Sequence, residues 1–324
     1  MLKQLKGFVE LAGMLVFPLA MAMAAGSAIP GTVNYVEGQV SVAGQPVTPQ
    51  AIGSVQLAPN QVLETGQGRA EMLLTPGVFL RLGDNSSIRL ISPNLGDTRV
   101  ELLRGRAIVE ATEIFKDTNL SVMLNGASAR LDKPGLYSFA ADARQVRVFD
   151  GKASVQAGDR NVNLDRERQL ALMPPFKSAH FDAKAQAAQD PLYAWSNLRS
   201  EYAAEASMQS ARTVFVGGGS YWDGPGWYWN PYWDMYGFIP GDGIWYSSFG
   251  WPFYSPWLVY SAPWYGYGFH GFRGGLHGAG VVAGARHVSG SAVASARGFG
   301  GARMSAGHGF AGGMHGGFGG GGRR

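Results

Sequence analysis

The 324-residue chain contains no cysteine. Disulfides, thiolate metal sites, cysteine nucleophiles and lipidation on cysteine are therefore excluded, and stability must come from a packed core. Neither a Gly-x-Ser-x-Gly elbow nor a Walker loop occurs. Gly-rich strings such as Gly274-Gly275-Leu276-His277-Gly278 do not follow a strand and open a helix, so they are not phosphate cradles. Acids are missing from residues 271–324, which hold six Arg, and bases are missing from residues 213–270, which hold three Asp. The net charge of +4 thus sits on a glycine-rich tail rather than on a folded surface, which argues against nucleic acid as a partner. Asp84, Asp97, Glu101 and Asp132 lie in or beside turns and read as Asx turns or solvated strand faces, not as an acid/base pair. His270, His277, His287, His308 and His315 are six or more residues apart, without acidic co-ligands or finger spacing, so no evolved metal site is expected. The chain reads as a non-enzyme that needs no cofactor.

What is present is a repeated phrase. From Gly31 to Leu172 a short alternating apolar run is followed by a turn about every ten residues. The turns include Thr75-Pro76-Gly77, Gly83-Asp84-Asn85, Asn125-Gly126, Lys133-Pro134-Gly135 and Asp150-Gly151. Strands at this spacing, closed by residues that supply positive or fixed φ, predict an all-β module, either a β-sandwich or a short β-solenoid. No helical pattern separates the strands, which excludes a doubly wound α/β enzyme. Alternate positions of the strongest runs give the expected core: Met72, Leu74, Leu80, Leu82, Leu102, Val109, Val146, Val148 and Val155.

Inside the array, Leu63-Glu64-Thr65-Gly66-Gln67-Gly68-Arg69-Ala70-Glu71-Met72, then Phe79-Leu80-Arg81-Leu82 and Asn85-Ser86-Ser87-Ile88-Arg89-Leu90, resemble the core of the FecR domain. Val100-Glu101-Leu102-Leu103-Arg104-Gly105-Arg106-Ala107-Ile108-Val109 is similar to that family's next strand pair. Val146-Arg147-Val148-Phe149-Asp150-Gly151-Lys152-Ala153-Ser154-Val155 resembles its late hairpin, with Gln169-Leu170-Ala171 at the end. Where the family carries Gly-Thr-x-Phe-x-Val, this chain has Pro134-Gly135-Leu136-Tyr137-Ser138-Phe139, so no ligand contact is carried over there. The resemblance implies a periplasmic sensing or protein-interaction role. The family's best-known members relay signals from an outer-membrane transporter to a sigma factor. That relay needs a cytosolic domain and a spanning helix, neither of which is read ahead of Gly31, so the sigma-regulator part is not expected.

The flanks divide the chain further. Lys3 and Lys6 precede an apolar run from Leu11 to Ala25, with Ala22-Met23-Ala24 at its end and Gly26-Ser27-Ala28 after it as cleavage-type sites, so residues 1–28 read as a secretory signal peptide. The β domain is placed at 29–175. Residues 176–212 are Ala-rich and charged. Asp190 is placed as N-cap and Pro191 as N1 of a helix of about twenty residues, whose stripe of Leu192, Trp195, Leu198 and Tyr202 is expected to lie on the β module as a lid.

Residues 213–270 hold eight of the nine Trp, interleaved with Gly and Pro. With few aliphatics and frequent ladder breakers, they read as a low-complexity segment, and 271–324 as a disordered Gly/Arg/His-rich tail. Trp227, Trp229, Trp233, Trp251, Trp257, Arg273 and Arg286 are the candidate interaction residues. The rings could stack on sugars, lie at a membrane interface, or meet the Arg-rich tail in self-association, which needs the fewest assumptions. The expected protein is an exported periplasmic or cell-surface module. Its partners would be envelope proteins or cell-wall glycan, its tail would self-associate, and residues 213–324 would be dispensable for folding of 31–212.

Overall fold

The computed structural model describes residues 28–219 and 222–261. Fifteen strands come first. They are β1 (Val33–Val42), β2 (Gln45–Pro46), β3 (Val62–Leu73), β4 (Val78–Leu82), β5 (Ser87–Asn94), β6 (Asp97–Arg104), β7 (Arg106–Ala111) and β8 (Asn119–Leu124). They continue with β9 (Ala127–Leu131), β10 (Gly135–Ala140), β11 (Gln145–Asp150), β12 (Lys152–Ala157), β13 (Arg160–Asp165), β14 (Arg168–Ala171) and β15 (Ser178–His180). Helices α1 (Ala183–Gln189) and α2 (Pro191–Val216) follow, then β16 (Gly226–Asn230), β17 (Met235–Ile239), β18 (Ile244–Tyr246) and β19 (Pro252–Tyr254).

The first fifteen strands form one sheet in the order β13-β12-β9-β8-β6-β5-β3-β4-β7-β10-β11-β14-β15, with β1 on β3 and β2 on β1. Among these strand pairs only β6 and β8 run parallel. A parallel solenoid is thereby set aside in favour of an antiparallel sheet rolled around one interior, with β13 coming against β11 and β14 so that the sheet nearly closes. Turn chemistry enforces the hairpins. At the β8–β9 reversal Leu124 pairs with Ala127, so the loop is two residues, Asn125 and Gly126. Both have positive φ, 49° and 77°, the primed turn whose twist matches a hairpin and which Asn-Gly adopts readily.

All nine expected core residues lie in the single interior cluster and are at most 1% exposed. Leu102→Ala and Val148→Ala are each expected to lower stability by about 2–4 kcal/mol, read as a drop in the urea midpoint at unchanged m-value.

The helix begins as its sequence predicts. Asp190 caps it, accepting hydrogen bonds from the backbone N–H of Leu192 (3.0 Å) and Tyr193 (3.4 Å), with Pro191 in the first turn. The same carboxylate is tied to Arg106 of β7, which fixes the start of α2 on the sheet. Leu192 and Trp195 are buried with Ile108, Leu136, Phe149 and Phe181. Leu198 and Tyr202 are only half-buried, and α2 runs beyond Arg212 to Val216. Its deeply buried residues are mostly small: Ser196, Ser200, Ala203, Ala206, Ser207 and Ala211.

Those small residues are explained by what covers them. The aromatic segment, expected to lack fixed structure, is ordered across 222–261 as two antiparallel hairpins, β16–β17 and β18–β19. Gly and Pro shorten these strands to between three and five residues without abolishing them. Rings supply the apolar area that aliphatics supply elsewhere. Phe238, Phe253 and Trp227 bury themselves with Leu73, Phe79, Ala203 and Ala206 in a second cluster. Strand β17 approaches α2 so closely that a Cβ on Gly237 would stand 2.6 Å from the Ser207 backbone nitrogen, so only glycine fits there. Ser207 seals the contact by donating its hydroxyl to the Phe238 carbonyl.

Candidate functional site

Strand alternation puts Ala70, Met72, Leu80, Leu82 and Val109 into the interior. The same alternation turns Glu71, Leu73, Phe79, Arg81, Ile108 and Glu110 to the outer face of β3, β4 and β7. On a solvated sheet this second set would be wet. Here all six are 0% exposed, because α2 and the aromatic hairpins lie over them. Register brings the charges together, with Glu71 opposite Arg81 between β3 and β4, and Phe79 opposite Glu110 between β4 and β7.

Arg81 bridges both acids, donating from Nε to Glu71 Oε2 (2.8 Å) and from Nη1 to Glu110 Oε2 (2.6 Å). The covering layer completes the set. Arg199 of α2 donates from Nη2 to Glu71 Oε1 (2.9 Å), and Ser200 donates its hydroxyl to Glu110 Oε1 (2.7 Å). Asn34 of β1 gives its amide to Glu71 Oε1 (2.9 Å) and to the Tyr236 carbonyl (3.1 Å), and its oxygen accepts from the Tyr236 N–H (2.7 Å). The side-chain amide thus pairs with β17 as a peptide group would. Two carboxylates and two guanidiniums balance in charge, and Arg199 also lies 3.9 Å over the Tyr35 ring.

Burial alone pushes the Glu71 carboxyl up, but Arg199 and Arg81 together hold it below its usual range. Burial pulls Arg81 down, and Glu110 and Glu71 raise it above its ordinary value. A depressed carboxylate adds stability that is present above its unfolded pKa and lost as pH falls through the folded one. Glu71→Gln is therefore expected to be strongly destabilising at neutral pH. Its penalty should shrink toward acid pH, where Glu71 itself is protonated; denaturant midpoints of both proteins at neutral and acid pH check this. Glu71 is held by two arginines and Asn34, and Glu110 by one arginine and Ser200, with both carboxylates sealed from solvent, so the arrangement clamps three layers and presents neither carboxylate to a substrate.

The carboxylates singled out in the sequence behave as turn and surface groups. Asp97 accepts from Asn119 at 2.6 Å, Asp132 accepts from Arg130 at 2.9 Å and Ser154 at 2.6 Å, and Glu101 pairs with Arg89 at 3.2 Å. Sequence reasoning missed Glu71, Arg81, Glu110 and Arg199. The available signal was a charge of each sign at outward positions of neighbouring strands within otherwise apolar runs.

The candidate interaction rings do not form one exposed surface. Trp227 is buried, edge-on to Phe79 at 4.9 Å, and its indole N–H reaches the Leu74 carbonyl at 3.4 Å. Trp229 packs on Tyr236 at 5.1 Å and Trp233 on Tyr202 at 5.5 Å, while Trp251 donates to Asn197 Oδ1 at 2.8 Å. Of the five Trp candidates only Trp257, 56% exposed, stands out in solvent. Arg273 and Arg286 lie outside the described residues, as do residues 1–27 and all the tail histidines. Among the described residues no group of three His, Cys, Asp or Glu is placed to hold a metal, and no helix is long and apolar enough to cross a membrane. A shallow polar groove of about 520 Å³ crosses the uncovered face of β6, β8, β9, β12 and β13. Its two arginines, Arg99 and Arg130, are paired with Asp97 (3.1 Å) and Asp132 (2.9 Å).

Comparison with known proteins agrees with the strand motifs. No curated protein matches the chain. Two crystal structures of a "putative anti-sigma factor" from Parabacteroides distasonis ATCC 8503 align with it at 16% and 15% identity and a TM-score of 0.34 each. They cover 39% and 40% of this chain and 62% and 65% of their own, so the chain spans less than two thirds of either. The FecR protein family model matches residues 61–157, the stretch from the end of the β2–β3 connection through β12. The chain therefore carries a FecR domain, embedded in a larger rolled sheet whose outer face at β3, β4 and β7 is covered by its own helix and aromatic hairpins.

Proposed function

We propose that this protein is an exported, non-enzymatic sensing or protein-interaction module of the cell envelope, periplasmic or at the cell surface, with a C-terminal tail that drives self-association. The observation that carries the reading is the FecR domain at residues 61–157, a domain that belongs to regulatory proteins. Two features support it. The buried constellation of titratable groups described above is a carboxylate–arginine clamp sealed from solvent, and the sequence carries a charged start, an apolar run and small-residue sites of the secretory kind. The face of the sheet that α2 and the hairpins leave open is polar and suits a protein or glycan partner.

Cross-linking in intact cells followed by fractionation tests the proposal. The expected result is a mature N-terminus between Ala25 and Ile29 in the envelope fraction, adducts with envelope proteins, and light scattering that grows with concentration. Intact Met1 on a cytosolic protein overturns export. Retention on peptidoglycan without any protein adduct overturns protein interaction in favour of the cell-wall-binding alternative.

A further inference from the structure

Side-chain oxygens that are buried and unbonded concentrate at one junction of the fold. Thr75 Oγ1, Thr112 Oγ1, Glu113 Oε2 and Ser255 Oγ are four of the five such oxygens among the described residues. Thr75 lies in the β3–β4 turn, and Thr112 and Glu113 open the β7–β8 connection. These segments are tied together, since the Thr112 N–H bonds to the Gly77 carbonyl at 2.8 Å. Glu113 sits against the same turn: a Cβ on Gly77 would stand 3.3 Å from the Glu113 Cβ and 3.2 Å from Phe238 Cε1. Strand alternation continues past the strand ends, so Thr75 follows Leu73 and Thr112 follows Glu110 onto the outer face, under the aromatic hairpins.

Asp242 and Ser255 come from the hairpin side. The Ser255 N–H bonds to the Gly243 carbonyl at 3.0 Å, which sets Ser255 beside Asp242. Asp242 is close enough to Glu113 that burial and the Asp242 charge together push the Glu113 carboxyl above its usual range. Thr75, Thr112 and Ser255 are 1%, 3% and 1% exposed, and a buried hydroxyl left unbonded is costly. A bridging water would bond the hydroxyls but leave two carboxylates repelling each other. A cation answers both. Carboxylate and hydroxyl oxygens without His or Cys are the donors a hard ion prefers, and two carboxylates balance two positive charges.

We propose that Glu113 and Asp242, with the hydroxyls of Thr75, Thr112 and Ser255, hold a divalent cation of the calcium type that fastens the aromatic hairpins to the sheet. It joins the β3–β4 turn and the β7–β8 connection to both ends of the β18–β19 hairpin, a link separate from the arginine clamp. The inference does not depend on the function proposed above.

The test titrates the EDTA-treated full chain with Ca2+, followed by calorimetry and thermal melts, and with Tb3+, whose emission is sensitised by a nearby indole. Trp245 supplies that indole, because its N–H bonds to the Asp242 carbonyl at 2.9 Å. The expected result is saturable Tb3+ emission that Ca2+ displaces, and a melting temperature that rises with Ca2+. Asp242→Asn and Glu113→Gln are each expected to weaken Ca2+ binding by roughly tenfold or more, because each removes half of the ligand charge. In EDTA the sign reverses, and both variants melt at or above the parent because the repulsion between the carboxylates is gone. Asp97→Asn, which removes a carboxylate paired with Arg99, leaves binding unchanged. Asp242 is exposed, so Asp242→Asn decides the matter even if Glu113→Gln fails to fold. Absence of saturable Ca2+ binding overturns the inference, as does binding that both variants retain, which places the ion elsewhere. A parent that melts identically in Ca2+ and EDTA, with both variants raised equally in each, assigns the cluster to bridging water and also overturns it.

Discussion

A chain ending at Arg212 is expected not to fold, whereas a chain ending at Ser261 is expected to melt at the temperature of the full-length protein. The composition break at Val214 suggests the reverse, since Gly and Pro take over and hydrophobic periodicity stops. Packing decides otherwise. Removing residues beyond Arg212 takes the last turn of α2 and both hairpins, and so uncovers Leu73, Phe79, Ala203 and Ala206. It also removes the Tyr236 backbone that Asn34 satisfies, leaving that amide half-paired above a buried carboxylate. Stripping Trp227, Phe238 and Phe253 from the second cluster costs about 3–5 kcal/mol for each ring, a sum comparable to the whole stability of a domain. Expression of the two truncations with thermal melts by circular dichroism checks the expectation. A cooperative, unshifted melt for the shorter chain would mean that the hairpins lie on the sheet without supporting it.

Arg81→Ala is expected to lower stability by about 3–5 kcal/mol, the cost of stranding a buried charge. Two carboxylates lose their shared guanidinium at once, at a site where both acids and Arg81 are 0% exposed. Arg199 still holds Glu71, and Ser200 still holds Glu110, so the loss concentrates on Glu110, whose remaining partner is neutral. Replacing Glu71, Arg81, Glu110 and Arg199 together by apolar residues of similar volume should cost much less than Arg81→Ala alone, because none of the four charges of the clamp is then left unpaired. Denaturant midpoints of the single and quadruple variants measure both effects. A single variant within about 0.5 kcal/mol of the parent would show that the clamp is not energetically coupled to the fold.

The strands were legible because inward positions alternate with polar ones and turns fall at residues whose backbone preferences are strong. Met72, Leu80 and Val148 could therefore be placed in the core from the sequence alone. The second layer was not legible, and the reason is physical. Period-2 reasoning assigns one face of each strand to solvent, so Glu71, Arg81 and Glu110 read as ordinary surface charges until a covering element is known. The cover itself was disguised. A ring-rich stretch punctuated by Gly and Pro shows no periodicity when its strands are only three to five residues long. Its docking also depends on Ser and Ala on α2, residues that carry no hydrophobic signal. The N-cap at Asp190 was readable because capping is local. The contact between Asn34 and Tyr236 spans 202 positions, and nothing local announces it.

The central claim is that the FecR sheet, α2 and the aromatic hairpins form one cooperative structure. Native-state hydrogen exchange tests it most directly, by comparing the amides of Tyr236 and Phe238 in β17 with those of Leu80 and Leu82 in β4. One cooperative unit predicts that both sets open with the same free energy and respond to denaturant with the same slope. Exchange of the β17 amides at far lower free energy, while β4 stays protected, would contradict it.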